Sequence, residues 1–282
     1  MKLNLRRAVA ITTLLLLPAA TALAGETPLT FGVISQRSPI LTAQYWNPIL
    51  RYVSQRSGIP LRLKLAKTGE EHAAMIGRGE FDFVYSNHNF TRENAPVGYS
   101  VFVRPIAATI RGQFVVLTDS PVRTLNDLRG QEVAFPSPVA FVGYHVPMDA
   151  LIRNSIHVKR EFAGNQEGAM GQLTSGRVAA AAVNSEVMRD FASRHQFAYR
   201  VLWSSEEFLN LPISAHPVVP AGTVKAVRDA FVHMNDDPAG REVLADSANL
   251  VKQDPPYGFV AAKNAEYDNV REVYRRSMVK DE

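Results

Sequence analysis

The 282-residue chain contains no cysteine. That absence removes several chemistries together: a disulfide framework, a thiolate nucleophile, and any Cys-ligated zinc or iron–sulfur centre. It also removes the acylated cysteine of a bacterial lipoprotein, so no lipid anchor is expected. Histidine is scattered: the seven, at positions 72, 88, 145, 157, 195, 216 and 233, include no i, i+4 pair and no His-rich tract, and no metal site is expected. A Walker loop, a G-x-S-x-G elbow, an H-E-x-x-H helix and an EF-hand loop are all missing, and no cofactor is implied. The G-x-G at Gly77-Arg78-Gly79 comes after a helical pattern and before a strand, which reads as a helix C-cap and not as a dinucleotide fingerprint.

The positive charge is thinner than its total suggests. Lys and Arg number 31 against 27 Asp and Glu, a formal balance of +4, but Lys2, Arg6 and Arg7 account for three of the cations. Behind them run ten largely apolar residues, 8–17, then Pro18 and a small-residue stretch ending Ala22-Leu23-Ala24. This is the pattern of a cleaved secretory signal peptide, residues 1–24, too short and too broken to span a bilayer. Without those 24 residues and three cations the chain has 258 residues, with 28 basic side chains against 27 acidic. No basic run interleaves with aromatics, so nucleic acid is not an expected partner, and Arg271, Arg275 and Arg276 read as a solvated face near a helix C-terminus. The expected compartment is the bacterial periplasm and the expected state a freely diffusing monomer.

Along the mature chain short β-rich runs alternate with amphipathic stretches, the signature of α/β units. Strands are predicted at 29–34, 61–65, 81–85, 101–118 in two parts, 132–135, 158–162, 179–183, 199–203 and 213–218. Helices are predicted at 42–57, 70–77, 125–128, 141–154, 166–175, 185–194, 222–235, 238–245 and 265–277. Two α/β lobes fit this pattern, one built from 25–110 with 212–282 and the other, 111–211, inserted into it. Ligands in such architectures bind between lobes, at strand C-terminal ends and helix N-termini.

The chemistry-bearing side chains gather in the loops at those strand ends. They are Ser35 in Ser35-Gln36-Arg37-Ser38; Tyr85, Ser86, Asn87 and His88; Ser137, Phe141, Gly143 and Tyr144; Gln166 in Gly164-Asn165-Gln166-Glu167; and Asn184 in Asn184-Ser185-Glu186. Taken singly, each Ser or Asn could simply cap a helix. Five such loops converging from both lobes point instead to one ligand site. Tyr45 and Trp46 read equally as cleft wall and as core.

The order of these segments resembles the periplasmic substrate-binding proteins of phosphate, phosphite and phosphonate ABC transporters. The resemblance is carried by Phe31-Gly32-Val33, Trp46 and Pro48, Gly79-Glu80-Phe81-Asp82, Asp119-Ser120-Pro121 through Leu125 and Gly130 to Val133-Ala134-Phe135, Gly143-Tyr144, Val146-Pro147, Gly176, Ala182-Val183, Tyr199 to Trp203, Gly258-Phe259-Val260 and Tyr267-Asp268. It covers almost the whole mature chain. It implies an α/β type II periplasmic-binding fold, each of two lobes a mixed sheet flanked by helices, with a ligand cleft between them.

At the site the chain departs from that family in one direction. The hydroxyl-rich Ser-Thr-Ser-Gly turn of phosphonate binders reads Ala140-Phe141-Val142-Gly143, the Gly-x-His-Glu segment reads Gly164-Asn165-Gln166-Glu167, and the acidic residue after the next strand reads Asn184. Backbone N–H groups, amides and an aromatic wall remain. The resemblance implies that a small, anionic ligand is held by Ser86, Asn87 and His88 on one lobe and enclosed by Ser137, Gly143, Gln166 and Asn184 on the other, and that hinge closure prepares it for an inner-membrane permease. A sensing role, in which the closed form engages a sensor kinase or chemoreceptor, needs the same two lobes and stays open on sequence alone. Catalysis has no motif behind it: the deaminase that shares this architecture attaches its cofactor through cysteine, and His88 with Glu167 forms no recognised acid–base pair.

Overall fold

A computed structural model describes residues 27–106 and 109–279. The expected leader, residues 1–24, lies outside them. Among the described residues the elements run β1 (Leu29–Val33), α1 (Pro39–Ser57), β2 (Leu61–Lys64), α2 (Gly69–Gly77), β3 (Phe83–Tyr85), β4 (Ser100–Pro105), β5 (Gly112–Leu117) and β6 (Glu132–Phe135). They continue with α3 (Val146–Arg153), β7 (Lys159–Phe162), α4 (Gln166–Thr174), β8 (Ala180–Asn184), α5 (Ser185–His195) and β9 (Tyr199–Ser204). The chain closes with β10 (Ile213–Ala215), α6 (Ala221–Val232), α7 (Pro238–Val251), β11 (Phe259–Ala261) and α8 (Asp268–Arg276).

The strands form two mixed sheets, ordered β11-β4-β10-β3-β1-β2 and β7-β6-β8-β5-β9. Strands joined through helices pair in parallel, as β1 does with β2 and β3, and β6 with β7 and β8. The strands that enter or leave each sheet at a crossing pair antiparallel: β10 with β3 and β4, and β5 with β8 and β9. This is the expected two-lobed α/β architecture, and it places the carboxyl ends of β1, β3, β6 and β8 around one gap.

Period-two alternation explains how each sheet is covered on both faces. In β5, Phe114 and Val116 join a core with Val133, Phe135 and Leu151, whereas Val115 faces Ala134, Met170 and Leu173 on the other side. The alanines of β8 leave room for helices on both faces, since Ala180 and Ala182 lie in one core and Ala181 in the other. In the first lobe Phe31 and Phe83 bury with Trp46, Ile49 and Phe231, while Val84 packs with Ile76 and Phe81 on the reverse face. Gly32 is required there, because a Cβ at that position would lie 2.6 Å from the Phe81 ring.

The two crossings lie side by side. Ile110 and Phe208 form an antiparallel bridge with reciprocal hydrogen bonds of 2.7 and 2.9 Å, and both side chains are buried. Phe141 packs on Phe208 with ring centroids 4.9 Å apart, tying the bridge to the second lobe.

Several boundaries differ from the sequence reading for identifiable reasons. The expected helix 141–154 begins as a π-turn, Phe141–His145, and becomes α-helical at Val146. Pro147 falls in the first turn of α3, where its missing N–H costs nothing, and the wide turn is closed by the His145 N–H donating to the Ala140 carbonyl. Helix α7 runs to Val251 instead of 245, since Ser247, Ala248 and Val251 are buried and extend its packing face. Strand β11 was not expected: three residues give too little alternation to read, and the strand exists because β4 offers it an edge.

Candidate functional site

Helix caps deliver the loops to the gap. Ser38 accepts from the Leu41 N–H and Pro39 follows it, starting α1 three residues earlier than periodicity alone suggests. Thr68 caps α2, Asn165 caps α4, and the Asn184 carboxamide oxygen accepts from the N–H groups of Glu186 and Val187 to start α5. The G-x-G turn is the expected C-cap region, with Gly79 left-handed just beyond Arg78.

A cavity of about 40 Å³ lies between the lobes. Ser35, Asn87 and His88 line it from the first lobe, and Ser137, Phe141 and Gln166 from the second. None of the residues lining it carries a carboxylate, a lysine ammonium or a guanidinium. Its polar groups are short of partners: the Ser35 hydroxyl and both His88 ring nitrogens are buried without a hydrogen bond of normal geometry, as is the carboxamide nitrogen of neighbouring Asn184. Buried polar groups are nearly always paired, and leaving one unsatisfied costs about 1–3 kcal/mol.

The remaining expected site residues take other places. Ser86 is fully buried and its hydroxyl accepts from the His88 N–H at 3.1 Å, so it shapes the loop without facing the cavity. Gly143 works by being small: a Cβ there would lie 2.7 Å from both the Gln166 amide nitrogen and Pro136. Gln166 in turn accepts from the Asn184 N–H at 2.9 Å, which locks the start of α4 to the end of β8. Tyr144 points the other way. Its ring sits in the second-lobe core against Phe135 and Phe162, and its hydroxyl accepts from Arg160, because the π-turn rotates it off the face that carries Phe141.

Tyr85 belongs to a second, adjoining cavity of about 50 Å³, which it lines with Arg37, Tyr45, Glu186, Asn210 and Gln253. Tyr45 and Trp46 both line it: Tyr45 donates its hydroxyl to Gln253 at 3.0 Å, and Trp46, buried among Phe31, Tyr85 and Phe259, belongs to wall and core together. Glu186, Arg37 and Asn210 were not among the expected ligand residues. The signal was available for the first two: both stand in loops already marked by the strand-end pattern.

An ion network joins the lobes at this second cavity. Arg37 contacts Asp190 at 2.8 Å and Glu167 at 3.9 Å, Arg194 pairs with Glu167 and donates to the Val251 carbonyl, and the Glu167 N–H donates to the Gln36 carbonyl. Burial raises the Asp190 carboxyl from 3.8 to about 6, Arg37 opposing and Glu186 reinforcing the change. Burial likewise raises Glu186, countered by Arg37 and by a hydrogen bond from Asn210. Burial holds His88 down to about 4.

Comparison with known proteins adds family to geometry. The family model described as the periplasmic substrate-binding protein of phosphonate ABC transporters matches residues 31–267. None of the curated proteins matches the chain in sequence. Among solved structures, a binding-protein component of an ABC phosphonate transporter from Pseudomonas aeruginosa superposes with a TM-score of 0.75 at 19% identity, over 87% of this chain and 85% of that one. A Prochlorococcus marinus protein in complex with methylphosphonate gives 0.74 at 15% identity, over 88% and 97% of the two chains. A Xanthomonas citri protein bound to chloride ion gives 0.69 at 17% identity, over 88% and 96%. At such identities the structural likeness speaks to the fold.

Proposed function

The chain belongs to the periplasmic substrate-binding proteins of phosphonate ABC transporters, and from that premise we propose that it captures a small phosphonate or related oxyanion in the cavity lined by Ser35, Asn87, His88, Ser137 and Gln166. The observation that carries this reading is the cavity's chemistry: buried polar groups from both lobes, several without partners, and no carboxylate to repel an anion. The size agrees, since a cavity of about 40 Å³ suits a compact head group. An anion held by neutral donors needs no permanent countercharge, provided each oxygen receives hydrogen bonds in a site shielded from water.

In this reading the lobes are residues 25–110 with 212–282 and residues 111–211, and the paired crossings at Ile110 and Phe208 act as the hinge. Opening would separate Arg37 from Asp190 and expose the cavity; closing on ligand would rebuild that junction and present the closed form to an inner-membrane permease. The mature protein works as a periplasmic monomer after removal of residues 1–24. Capture and release complete its role, and no residue is assigned to catalysis.

Thermal unfolding of the mature protein with methylphosphonate, phosphite, phosphate and small organic acids tests the proposal. A ligand at 100 times its Kd adds about 2.7 kcal/mol, roughly 5–10 °C for a chain of this size. Stabilisation by an organic acid with no response to any phosphorus oxyanion would refute the ligand class.

A further inference from the structure

Three histidines converge behind the cavity wall. His88, fully buried, lines the cavity from the turn after β3. His72 of α2 lies beneath it with ring centroids 5.9 Å apart, also buried, and neither of its ring nitrogens has a hydrogen-bond partner. His145, in the π-turn before α3, approaches from the opposite lobe closely enough to disfavour a charge on His88.

The backbone around His88 is pinned. Its N–H is accepted by the Ser86 hydroxyl and its carbonyl accepts from the Asn94 carboxamide, which also reaches the Ala73 carbonyl. The imidazole is therefore held in place by bonds to its main chain, with the Val139 carbonyl facing its ring. A neutral imidazole offers one donor and one acceptor, and an imidazolium offers two donors.

We propose that His88 reads the charge of the oxyanion: the ring is neutral in the ligand-free protein and becomes an imidazolium when a doubly charged phosphorus oxyanion is seated against it. The proton comes from solvent when the dianion binds, or from the P–OH group of the monoanion, which becomes the dianion as it gives the proton up. In both cases a nitrogen lone pair of the ring takes the proton, and an N–H donates to an anionic oxygen. This rests on the ligand class proposed above and adds which ionic form the site prefers.

Four observations support the arrangement. Burial and the neighbouring His145 hold His88 down to about 4 in the ligand-free protein, so the ring is uncharged at neutral pH. The Val139 carbonyl works in the opposite direction and favours the charged ring, so it assists the large rise that a bound dianion must supply to charge the ring at pH 7. The groups that act on His88 are His145 and the Val139 carbonyl, and His72 faces it from α2; none of them is acidic, so no carboxylate among them competes with the ligand as counterion. Finally His72 is itself pushed well below its ordinary range by burial and by His88, so two adjacent charges are disfavoured and the cluster takes up one proton.

The test is nitrogen NMR of the mature protein labelled in its histidine rings, at pH 7, with and without saturating methylphosphonate. The His88 signal is assigned by its loss in His88→Asn. The expected result is a neutral ring in the free protein and an imidazolium in the complex, with His72 neutral in both. Calorimetry supplies a second readout: Asn keeps a donor but takes no charge, so His88→Asn should weaken methylphosphonate by about tenfold and hypophosphite, which carries one charge, by much less. If the variant does not fold, His72→Asn allows assignment of the wild-type signal by its perturbation. A ring that stays neutral in a complex that does form, or equal losses for the two anions, overturns this inference and leaves the ligand class standing. Failure of methylphosphonate, phosphite and phosphate to bind at any pH overturns both.

Discussion

Asp190 gives the sharpest test of the junction between the lobes. Its side chain is wholly shielded from solvent, 2.8 Å from Arg37 of the other lobe, with Glu186 one turn earlier on α5. Burial moves its carboxyl from 3.8 up to about 6, against the pull of Arg37. An acid that binds its proton more tightly when folded contributes stability that is fully present below its unfolded value and is lost as pH rises through about 6. A difference of about two pH units at 1.36 kcal/mol each amounts to about 3 kcal/mol. Asp190→Asn cannot ionise and does not suffer that loss. Urea unfolding of wild type and variant at pH 4, 5, 6, 7 and 8 should therefore show the variant gaining about 3 kcal/mol relative to wild type between pH 4 and pH 7. Because Glu186 is raised by burial and couples to Asp190, Glu186→Gln serves as the control that retains most of the Asp190 slope. A stability difference that stays constant with pH would refute the reasoning: Asp190 would then ionise as it does in water, and the junction would be a solvated surface pair.

Two further outcomes follow from the same geometry. Arg37→Met keeps the apolar stem but leaves Asp190 and Glu167 without their shared interlobe cation, so solution scattering should show a larger radius of gyration and methylphosphonate affinity should fall about tenfold; unchanged values for both would show that the lobes close without it. Gly143→Ala places a methyl 2.7 Å from the Gln166 amide nitrogen and from Pro136, and the displaced wall should cost about 1–3 kcal/mol in urea unfolding together with most of the ligand affinity, whereas wild-type binding would mean that Gln166 has no part in the site.

How much of this was legible in the residues depends on how local the cause is. Ser38, Thr68, Asn165 and Asn184 each cap a helix through bonds to residues two or three positions on, so the helix starts and the loops before them could be read from the chain. Three positions in one turn could not be sorted. Phe141 faces the cavity, Gly143 allows Gln166 to approach, and Tyr144 turns into the second-lobe core, a distribution set by the π-turn and its packing on Phe208 and Phe135. Arg37 and Glu186 stood in loops already singled out, yet their meaning depends on partners far along the chain, such as Asp190 for Arg37 and Asn210 for Glu186.

The sequence by itself determined the absence of thiol chemistry, the near-neutral balance of the residues after position 24, the alternation of strands and helices, and the family whose segments those elements carry. Those properties are sums over composition or patterns within a few residues, and folding does not alter them. The tertiary structure decided which polar groups lose water together. It buries the Ser35 hydroxyl, the His88 ring and the carboxamide nitrogen of Asn184 at or beside one cavity with no hydrogen bond of normal geometry, and it places Arg37 and Asp190 in contact across 153 positions of chain. Burial and partnership are properties of the assembled lobes, and the ionisation of His88 and Asp190 follows from them.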